Sequence, residues 1–146
     1  MVDNFQEAPI SHSPRIIDYD HILNPEGTLP KILLKQNKEI SEQIKGYDIL
    51  SDSSTKVGYI ILAINTFKHE RNLAYVGSIQ IREEFRGKGF GKATYIEVLK
   101  SLNGIQLKSS TLNEKSRGIW EWLVRNGIAR KISDVEGGGY ETIVPK

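Results

Sequence analysis

The residues best suited to chemistry lie in one short, basic and glycine-rich stretch. Residues Arg86 to Lys92 read Arg-Gly-Lys-Gly-Phe-Gly-Lys, between an apolar segment that ends at Ile81 and an amphipathic run. Glycine lets the backbone adopt positive φ and come close to a ligand. A helix that begins here directs its unpaired N–H groups and its positive dipole end at that ligand. Because arginine and lysine add full positive charges, the stretch predicts a site for a phosphate or pyrophosphate.

The spacing of the glycines separates three kinds of phosphate-binding loop. A Walker A loop needs Ser or Thr after its Gly-Lys pair, but Gly91-Lys92 is followed by Ala93. The dinucleotide fingerprint Gly-x-Gly-x-x-Gly needs its third glycine at the position that Lys92 occupies. The remaining pattern, Arg/Gln-x-x-Gly-x-Gly/Ala after a strand and before a helix, is matched by Arg86, Gly89 and Gly91.

A second block of sequence follows the glycine-rich stretch at a distance typical of one family. Two residues of a short predicted strand precede an asparagine, with a small residue and an apolar-aromatic pair further on: Leu107, Ser109, Asn113, Ser116 and Ile119-Trp120. Together the two blocks cover about residues 73–128. With both in place, the chain resembles the GNAT N-acetyltransferase superfamily, whose glycine-rich loop binds the pyrophosphate of acetyl-CoA.

The resemblance implies a set of residues that bind acetyl-CoA as co-substrate. Backbone groups of one strand would pair with the pantetheine arm, the loop would hold the pyrophosphate, and the second helix would contribute its first residues: Ile79, Ile81, Arg86, Gly87, Lys88, Gly89, Phe90, Gly91, Lys92, Asn113 and Ser116. For Asn113 an ordinary helix N-cap is an equal alternative. The implied reaction is direct attack of an amine on the thioester, which needs no cysteine nucleophile and no metal.

The catalytic residues are less well defined, because the chain departs from the family at one position. Trp120 stands where family members usually carry a tyrosine as general acid, and an indole gives up no proton at useful pH. Tyr140 is the predicted replacement. Tyr95 is a less favoured candidate, because it lies on an apolar helix stripe and is expected in the core, and water is the alternative proton donor.

Glu84, just before the loop and next to Glu83, is the predicted base, although adjacent glutamates at a strand end are often simply solvated. A water ordered by Ser78 and Gln80, which share a face of the strand, is the alternative.

Composition limits the remaining alternatives. The length of 146 residues predicts one domain over residues 1–146, with an irregular segment over 1–28. The chain has no cysteine, no secretory h-region and no apolar run of membrane-spanning length, so a cytoplasmic protein without a membrane partner is expected. Residues 86–131 carry ten Lys and Arg against three Glu. This basic half suits a polyanionic ligand, and nucleic acid is a less favoured alternative because the tryptophans follow a core pattern.

Periodicity predicts an α/β (α+β) fold: a single domain with a mixed central sheet flanked by helices. The resemblance implies in addition that the strands of this sheet splay, with residues 105–109 diverging from residues 73–81. The predicted strands are Arg15–Tyr19, Ile44–Leu50, Val57–Asn65, Leu73–Ile81, Ile105–Ser109, Ala129–Ile132 and Tyr140–Val144. The predicted helices are residues 29–41, a helix that buries Tyr95, Val98, Leu99 and Leu102, and a helix capped by Thr111 with Glu114 that ends at Gly127.

The predicted function is an acetyl-CoA-dependent N-acetyltransferase that acts on an amine of a small molecule or polypeptide. A non-catalytic CoA-binding or protein-interaction module of the same fold is the alternative, since Trp120 is consistent with lost catalysis. Family members usually shape the acceptor site with helices between their first two strands. This chain offers at most one helix there, so the acceptor does not carry over, and the protein is expected as a monomer or homodimer.

Overall fold

The computed structural model describes residues 17–64, 73–110 and 112–144. In them seven strands form one sheet in the order β1-β2-β3-β4-β5-β7-β6, in which β4 and β5 are parallel and all other neighbours are antiparallel. The elements are α1 (Tyr19–Leu23), β1 (Ile32–Glu39), β2 (Ile44–Ser51), β3 (Lys56–Ile64), β4 (Leu73–Ile81), α2 (Phe90–Leu102), β5 (Gln106–Lys108), α3 (Glu114–Arg125), β6 (Ala129–Lys131) and β7 (Tyr140–Thr142). The predicted mixed sheet with flanking helices is confirmed.

The first predicted helix is wrong, because most of residues 29–41 form β1. This strand pairs with β2 from Ile32 opposite Ser51 to Glu39 opposite Lys45. Ile32 and Leu34 face the core, whereas the side chain of Leu33 between them points outward and the residue is 63% exposed. The apolar residues fit helical spacing as well as alternation, and pairing along a neighbouring strand decided between the two.

The start of the described chain also differs from the prediction of a strand over Arg15–Tyr19. Tyr19 begins helix α1, and the side chain of Asp18 accepts a hydrogen bond from the His21 N–H at 3.0 Å as its N-cap. Arg15 and Ile16 lie outside the described residues. An N-cap aspartate satisfies a free helical N–H, which favours a helix here over an extended segment.

Strands β4 and β5 diverge, as the predicted splay requires. They pair only from Leu73 opposite Gln106 to Tyr75 opposite Lys108. Beyond this point β4 continues to Ile81 without a partner on that side among the described residues, while its other edge stays paired with β3. The Ser110 hydroxyl donates to the Val76 carbonyl where the strands separate. A cleft therefore opens between β4 and the chain that follows β5.

Helices α2 and α3 meet over this cleft and enclose the core. Tyr95, Val98, Leu99 and Leu102 of α2 are buried, as the periodicity predicts. Trp120 of α3 is 1% exposed and packs against the Tyr95 ring at right angles, with ring centroids 6.0 Å apart. The two helices are thereby fixed to each other at the point where their first turns face the cleft.

The cap of α3 differs from the predicted pairing of Thr111 with Glu114. Asn113 is the N-cap: its Oδ1 accepts from the Ser116 N–H at 2.9 Å, and the Ser116 hydroxyl accepts from the Asn113 N–H at 3.0 Å. Glu114 is already the first helical residue, so it stands too early to close a capping box. Thr111 lies outside the described residues.

Two general features follow from the described part of the chain. None of its helices combines the length and the apolarity that crossing a bilayer requires. Its histidine, aspartate and glutamate side chains form no group of three that could hold a metal ion.

Candidate functional site

A cavity of about 600 Å³ lies where β4 ends and helices α2 and α3 begin. Three segments line it, namely the last residues of β4, the loop with the first turn of α2, and the first turns of α3: Ile79, Gln80, Ile81, Phe85, Arg86, Gly87, Gly89, Phe90, Gly91, Asn113, Glu114, Lys115, Ser116 and Ile119. The structure thus brings the glycine-rich stretch and the asparagine block together at one opening. Of the residues predicted to bind the co-substrate, only Lys88 and Lys92 are outside this lining.

The first turn of α2 presents unpaired backbone donors to this cavity. Gly89 is the N-cap, with φ of 88°, and it has no side chain that could cap the helix. The first hydrogen bond of the helix runs from the Ala93 N–H to the Gly89 carbonyl at 3.0 Å. Within the described residues, these N–H groups donate to no protein acceptor: Gly87, Lys88, Gly89, Phe90, Gly91 and Lys92. A row of unpaired donors at a helix N-terminus is an anion site.

The backbone of β4 offers further donors and acceptors along the cleft. The Arg82 N–H donates to the Val57 carbonyl of β3 at 2.8 Å, and the Gln80 carbonyl lies directly against Gly58 of β3. Because backbone groups alternate in direction along a strand, those of Ile79 and Ile81 point away from β3 and into the cleft. The Ile81 carbonyl already accepts a hydrogen bond from Nε of Arg86 at 2.9 Å.

The cations of the stretch are divided between the cavity and the surface around it. Arg86 lines the cavity and is tied to β4 by the bond just described. Lys115, which the sequence did not single out, also lines the cavity from the first turn of α3. The Lys92 ammonium lies 5.0 Å from the centroid of the Trp122 ring, a cation–π arrangement that fixes it between the two helices.

A smaller cavity of about 130 Å³ continues from the large one to the point where β4 and β5 diverge. The two cavities share residues of β4 and α3: Ile79, Gln80, Asn113 and Ser116. The small cavity is also lined by Ser78, Ser110, Tyr95 and Trp120. Hydroxyl groups and aromatic rings therefore surround the inner end of the cleft.

Tyr95 combines burial with one hydrogen-bonding neighbour, the Trp120 indole. Burial raises the pKa of its phenol to about 12, and a hydrogen bond from Trp120 opposes this rise. Because an indole N–H can only donate, the Tyr95 oxygen is the acceptor in that bond. Tyr95, the less favoured acid candidate, lies in the core as expected, and it also lines the small cavity because the apolar stripe of α2 brings its ring to the inner end of the cleft.

The two predicted catalytic residues lie elsewhere. Tyr140 is buried and its ring is stacked on the far side of Trp120, with centroids 5.9 Å apart. Glu84 is exposed, and its carboxylate lies 3.7 Å from the guanidinium of Arg82. Neither residue lines the two cavities at the cleft. Their assignments as acid and base stay predictions.

Comparison with known protein families gives a match to the family described as "Acetyltransferase (GNAT) family", over residues 16–123. The match covers about three quarters of the chain and includes the glycine-rich stretch and the asparagine block. No curated protein matches the chain at a significant level.

Several solved structures resemble this one. A KacTA–DNA complex has 21% identity and a TM-score of 0.51, over 71% of this chain and 69% of that chain. The Bacillus subtilis N-acetyltransferase YlbP, solved with coenzyme A, has 17% identity and a TM-score of 0.45, over 68% and 67%. A GCN5-related glucosamine N-acetyltransferase region in a fungal multi-domain GH3 β-N-acetylglucosaminidase has 13% identity and a TM-score of 0.48, over 64% and 13%. This chain therefore spans 13% of the fungal protein's length, and identities this low show a common fold alone.

Proposed function

Because this chain belongs to the GNAT acetyltransferase family, we propose that it transfers an acetyl group from acetyl-CoA to an amine of a small molecule or polypeptide. One observation carries the proposal: unpaired N–H groups at the start of α2 open into a cavity of about 600 Å³ that continues along β4. A pyrophosphate satisfies such donors at little cost, because they are already oriented toward the cavity. Arg86 and Lys115 supply the neutralising charge.

The residues of the cleft fit the rest of the co-substrate. Backbone N–H and C=O groups of Ile79 and Ile81 suit the two amides of a pantetheine arm, which would lie beside β4 as an added strand. The thioester end then reaches the small cavity at the splay. There the protein holds the amine and the thioester together, and N–H donors stabilise the oxyanion that forms on the carbonyl. We keep Glu84 as the predicted base and Tyr140 as the predicted acid.

The second candidate function is a CoA-binding or protein-interaction module without catalysis. Trp120 favours it, because an indole replaces the tyrosine that the resemblance leads us to expect, and it is buried rather than free to deliver a proton. Both candidates require coenzyme A to bind in the same cavity. Turnover distinguishes them.

The binding test uses Gly91→Glu. Gly91 lies in the first turn of α2 and lines the cavity, so a glutamate there brings a negative charge to the anion site. An added Cβ would lie 3.1 Å from Cδ1 of Ile119, the end of a flexible side chain, and glutamate near a helix N-terminus is favourable, so the variant is expected to fold. Gly89 suits the test less well, because its φ is positive and a Cβ there would lie 2.9 Å from Leu29.

Gly118→Glu is the matched control, since Gly118 also lies within a helix and a Cβ there meets nothing within 4 Å. At a hundredfold excess over the dissociation constant, coenzyme A should stabilise the parent and Gly118→Glu by about 2.7 kcal/mol. Gly91→Glu should show no such stabilisation. Equal stabilisation of Gly91→Glu would place coenzyme A elsewhere, and no stabilisation of the parent would contradict the proposed co-substrate.

Turnover is measured as free thiol released from acetyl-CoA in the presence of amines, peptides or aminoacyl-tRNA. Thiol release that depends on one class of acceptor supports the transferase. Stabilisation by coenzyme A without thiol release over the whole panel supports the module.

A further inference from the structure

The Tyr95 hydroxyl is buried and only half satisfied. The residue is 1% exposed, and its oxygen accepts a hydrogen bond from the Trp120 indole. Within the described residues, no protein group accepts the Tyr95 proton. A buried donor without an acceptor costs free energy, so native structures rarely keep one without a ligand or water to receive it.

The space beside Tyr95 is the small cavity of about 130 Å³, which is the inner end of the cleft. Ser110 closes this end through its bond to the Val76 carbonyl, and Trp120 and Leu112 form another wall. A ligand that follows β4 inward from the anion site reaches Tyr95 with its far end. The far end of acetyl-CoA is the thioester.

We propose that Tyr95 is a catalytic residue that donates its hydroxyl hydrogen bond to the thioester sulfur and stabilises the departing thiolate, with Trp120 as a positioning residue. This inference rests on the proposed function. The family resemblance places the acid at the position of Trp120. Here the indole at that position donates a hydrogen bond to the phenol oxygen. The phenol proton is then available to a ligand in the small cavity.

The bond changes in this step balance without a covalent enzyme intermediate. The amine nitrogen bonds to the carbonyl carbon, the carbon–sulfur bond breaks, and its electron pair stays on sulfur as a thiolate hydrogen-bonded to Tyr95. The predicted base takes the proton of the amine and passes it to solvent, and the thiolate takes a proton from solvent when it leaves, so Tyr95 replaces Tyr140 as the group that acts at sulfur. Tyr95 ends the step as it began.

The pKa of Tyr95 decides between donating a hydrogen bond and transferring the proton. A phenol with a pKa of about 12 is a weaker acid than an ordinary thiol, whose pKa is about 8.5. The proton therefore stays on the tyrosine oxygen. Tyr95 remains protonated through the whole working range of pH, and the rate should show no alkaline decline caused by its ionisation.

The primary experiment needs no acceptor. The thiol pKa of bound coenzyme A is measured by ultraviolet absorbance of the thiolate during a pH titration of the complex. A hydrogen bond from Tyr95 favours the thiolate, so Tyr95→Phe should raise the thiol pKa by about one to two units. Tyr19→Phe is the matched control, because Tyr19 is also a buried tyrosine but lines neither cavity of the cleft. It should leave the thiol pKa unchanged.

Two further measurements separate a role at sulfur from a role in packing. Tyr95→Phe should lower kcat by about 10² to 10³, the usual cost of one lost donor to a developing anion, while the dissociation constant of coenzyme A changes less than about threefold. Trp120→Phe keeps an aromatic ring but removes the indole donor, and it should shift the thiol pKa in the same direction by a smaller amount.

The failures of the two proposals are distinguishable. If the parent binds coenzyme A and Tyr95→Phe leaves the thiol pKa unchanged, the role of Tyr95 is wrong and the proposed co-substrate stands. A loss of turnover in Tyr140→Phe but not in Tyr95→Phe would also overturn the proposed role of Tyr95, in favour of Tyr140. If the parent does not bind coenzyme A, both proposals fall.

Discussion

Tyr95 places an ionisable phenol on the side of α2 that packs into the core, and this makes the stability of the fold depend on alkaline pH. Burial raises its pKa from 10.0 to about 12, so the folded state keeps the proton where the unfolded chain loses it. Below pH 10 the phenol is neutral in both states and its packing contributes in full. As pH rises from 10 towards 12, the unfolded state gains stability through ionisation and the free energy of unfolding falls.

We expect Tyr95 alone to remove about 2 to 3 kcal/mol from the free energy of unfolding over this interval. Urea unfolding of the parent and Tyr95→Phe at a series of pH values measures the effect as the difference between their slopes. Because other tyrosines and lysines titrate in both proteins, only the difference belongs to Tyr95. Identical slopes would mean that the phenol ionises as readily in the folded protein as in the unfolded chain.

At the scale of single residues, the sequence predicted the kind of ligand better than it predicted where each side chain lies. The glycines and Arg86 lie at the cavity because backbone proximity and charge are encoded locally. Tyr95 and Trp120 were harder to assign to the core or to the cleft, because they belong to both. Both side chains are buried and both line the small cavity. Whether a buried aromatic meets a cavity depends on how two helices and a diverging strand pack, and no spacing in one segment contains that information.

At the scale of elements, Asn113 at the start of α3 has two possible roles, helix capping and ligand contact, which a single substitution can separate. Asn113 caps the helix through Oδ1, while the residue also lines both cavities of the cleft. The amide Nδ2 takes no part in the cap and is the group that would contact the pantetheine. Serine is an equally good N-cap but lacks this amide.

Asn113→Ala should therefore lower the free energy of unfolding by about 1 kcal/mol, and Asn113→Ser should restore most of it. If the amide also binds pantetheine, both variants should weaken coenzyme A binding by similar amounts. Chemical denaturation and calorimetric titration measure the two effects. Parent-like affinity in Asn113→Ser would reduce the residue to its capping role.

The prediction of elements succeeded where local signals agree and failed where they conflict. Strand β4 and helix α2 have clear periodicity and a glycine boundary, so the alternating and helical patterns point to the observed structure. Residues 32–39 satisfy both patterns, and the pairing of seven of these residues with β2 fixed the strand. Pairing partners that lie far along the chain are not visible in a single segment, which is why this strand was assigned as a helix.

At the scale of the whole molecule, charge is distributed unevenly, and the basic part surrounds the candidate anion site. Residues 86–131 have an excess of seven positive charges, ten against three, whereas the whole chain has a net charge of +2. The electrostatic field of this positive excess attracts a polyanion from a distance, and a positive side chain at the cavity adds a direct contact with it. The two contributions differ in their response to salt.

Lys115→Gln should test the direct contact, because Lys115 lines the cavity. We expect the dissociation constant of coenzyme A to rise about three- to tenfold and its dependence on salt to weaken, as one charge-assisted contact is lost. Lys131→Gln is the control, since this exposed lysine on β6 is outside the cavity lining. Equal effects of both substitutions would indicate that only the overall field matters.

The direct turn between β1 and β2 has a consequence for engineering acceptor choice. Residues 40–43 join the strands without an intervening helix, and Ser41, Glu42 and Gln43 are exposed. Extending an exposed loop costs only about 0.6 kcal/mol for each doubling of its length. A helical segment inserted between Glu42 and Gln43 is therefore compatible with the sheet. The insertion point is also well separated in sequence from the residues that would hold the co-substrate, which begin at Ile79. Segments that recognise different amines could be exchanged at this turn, while the residues proposed to bind coenzyme A are left unaltered.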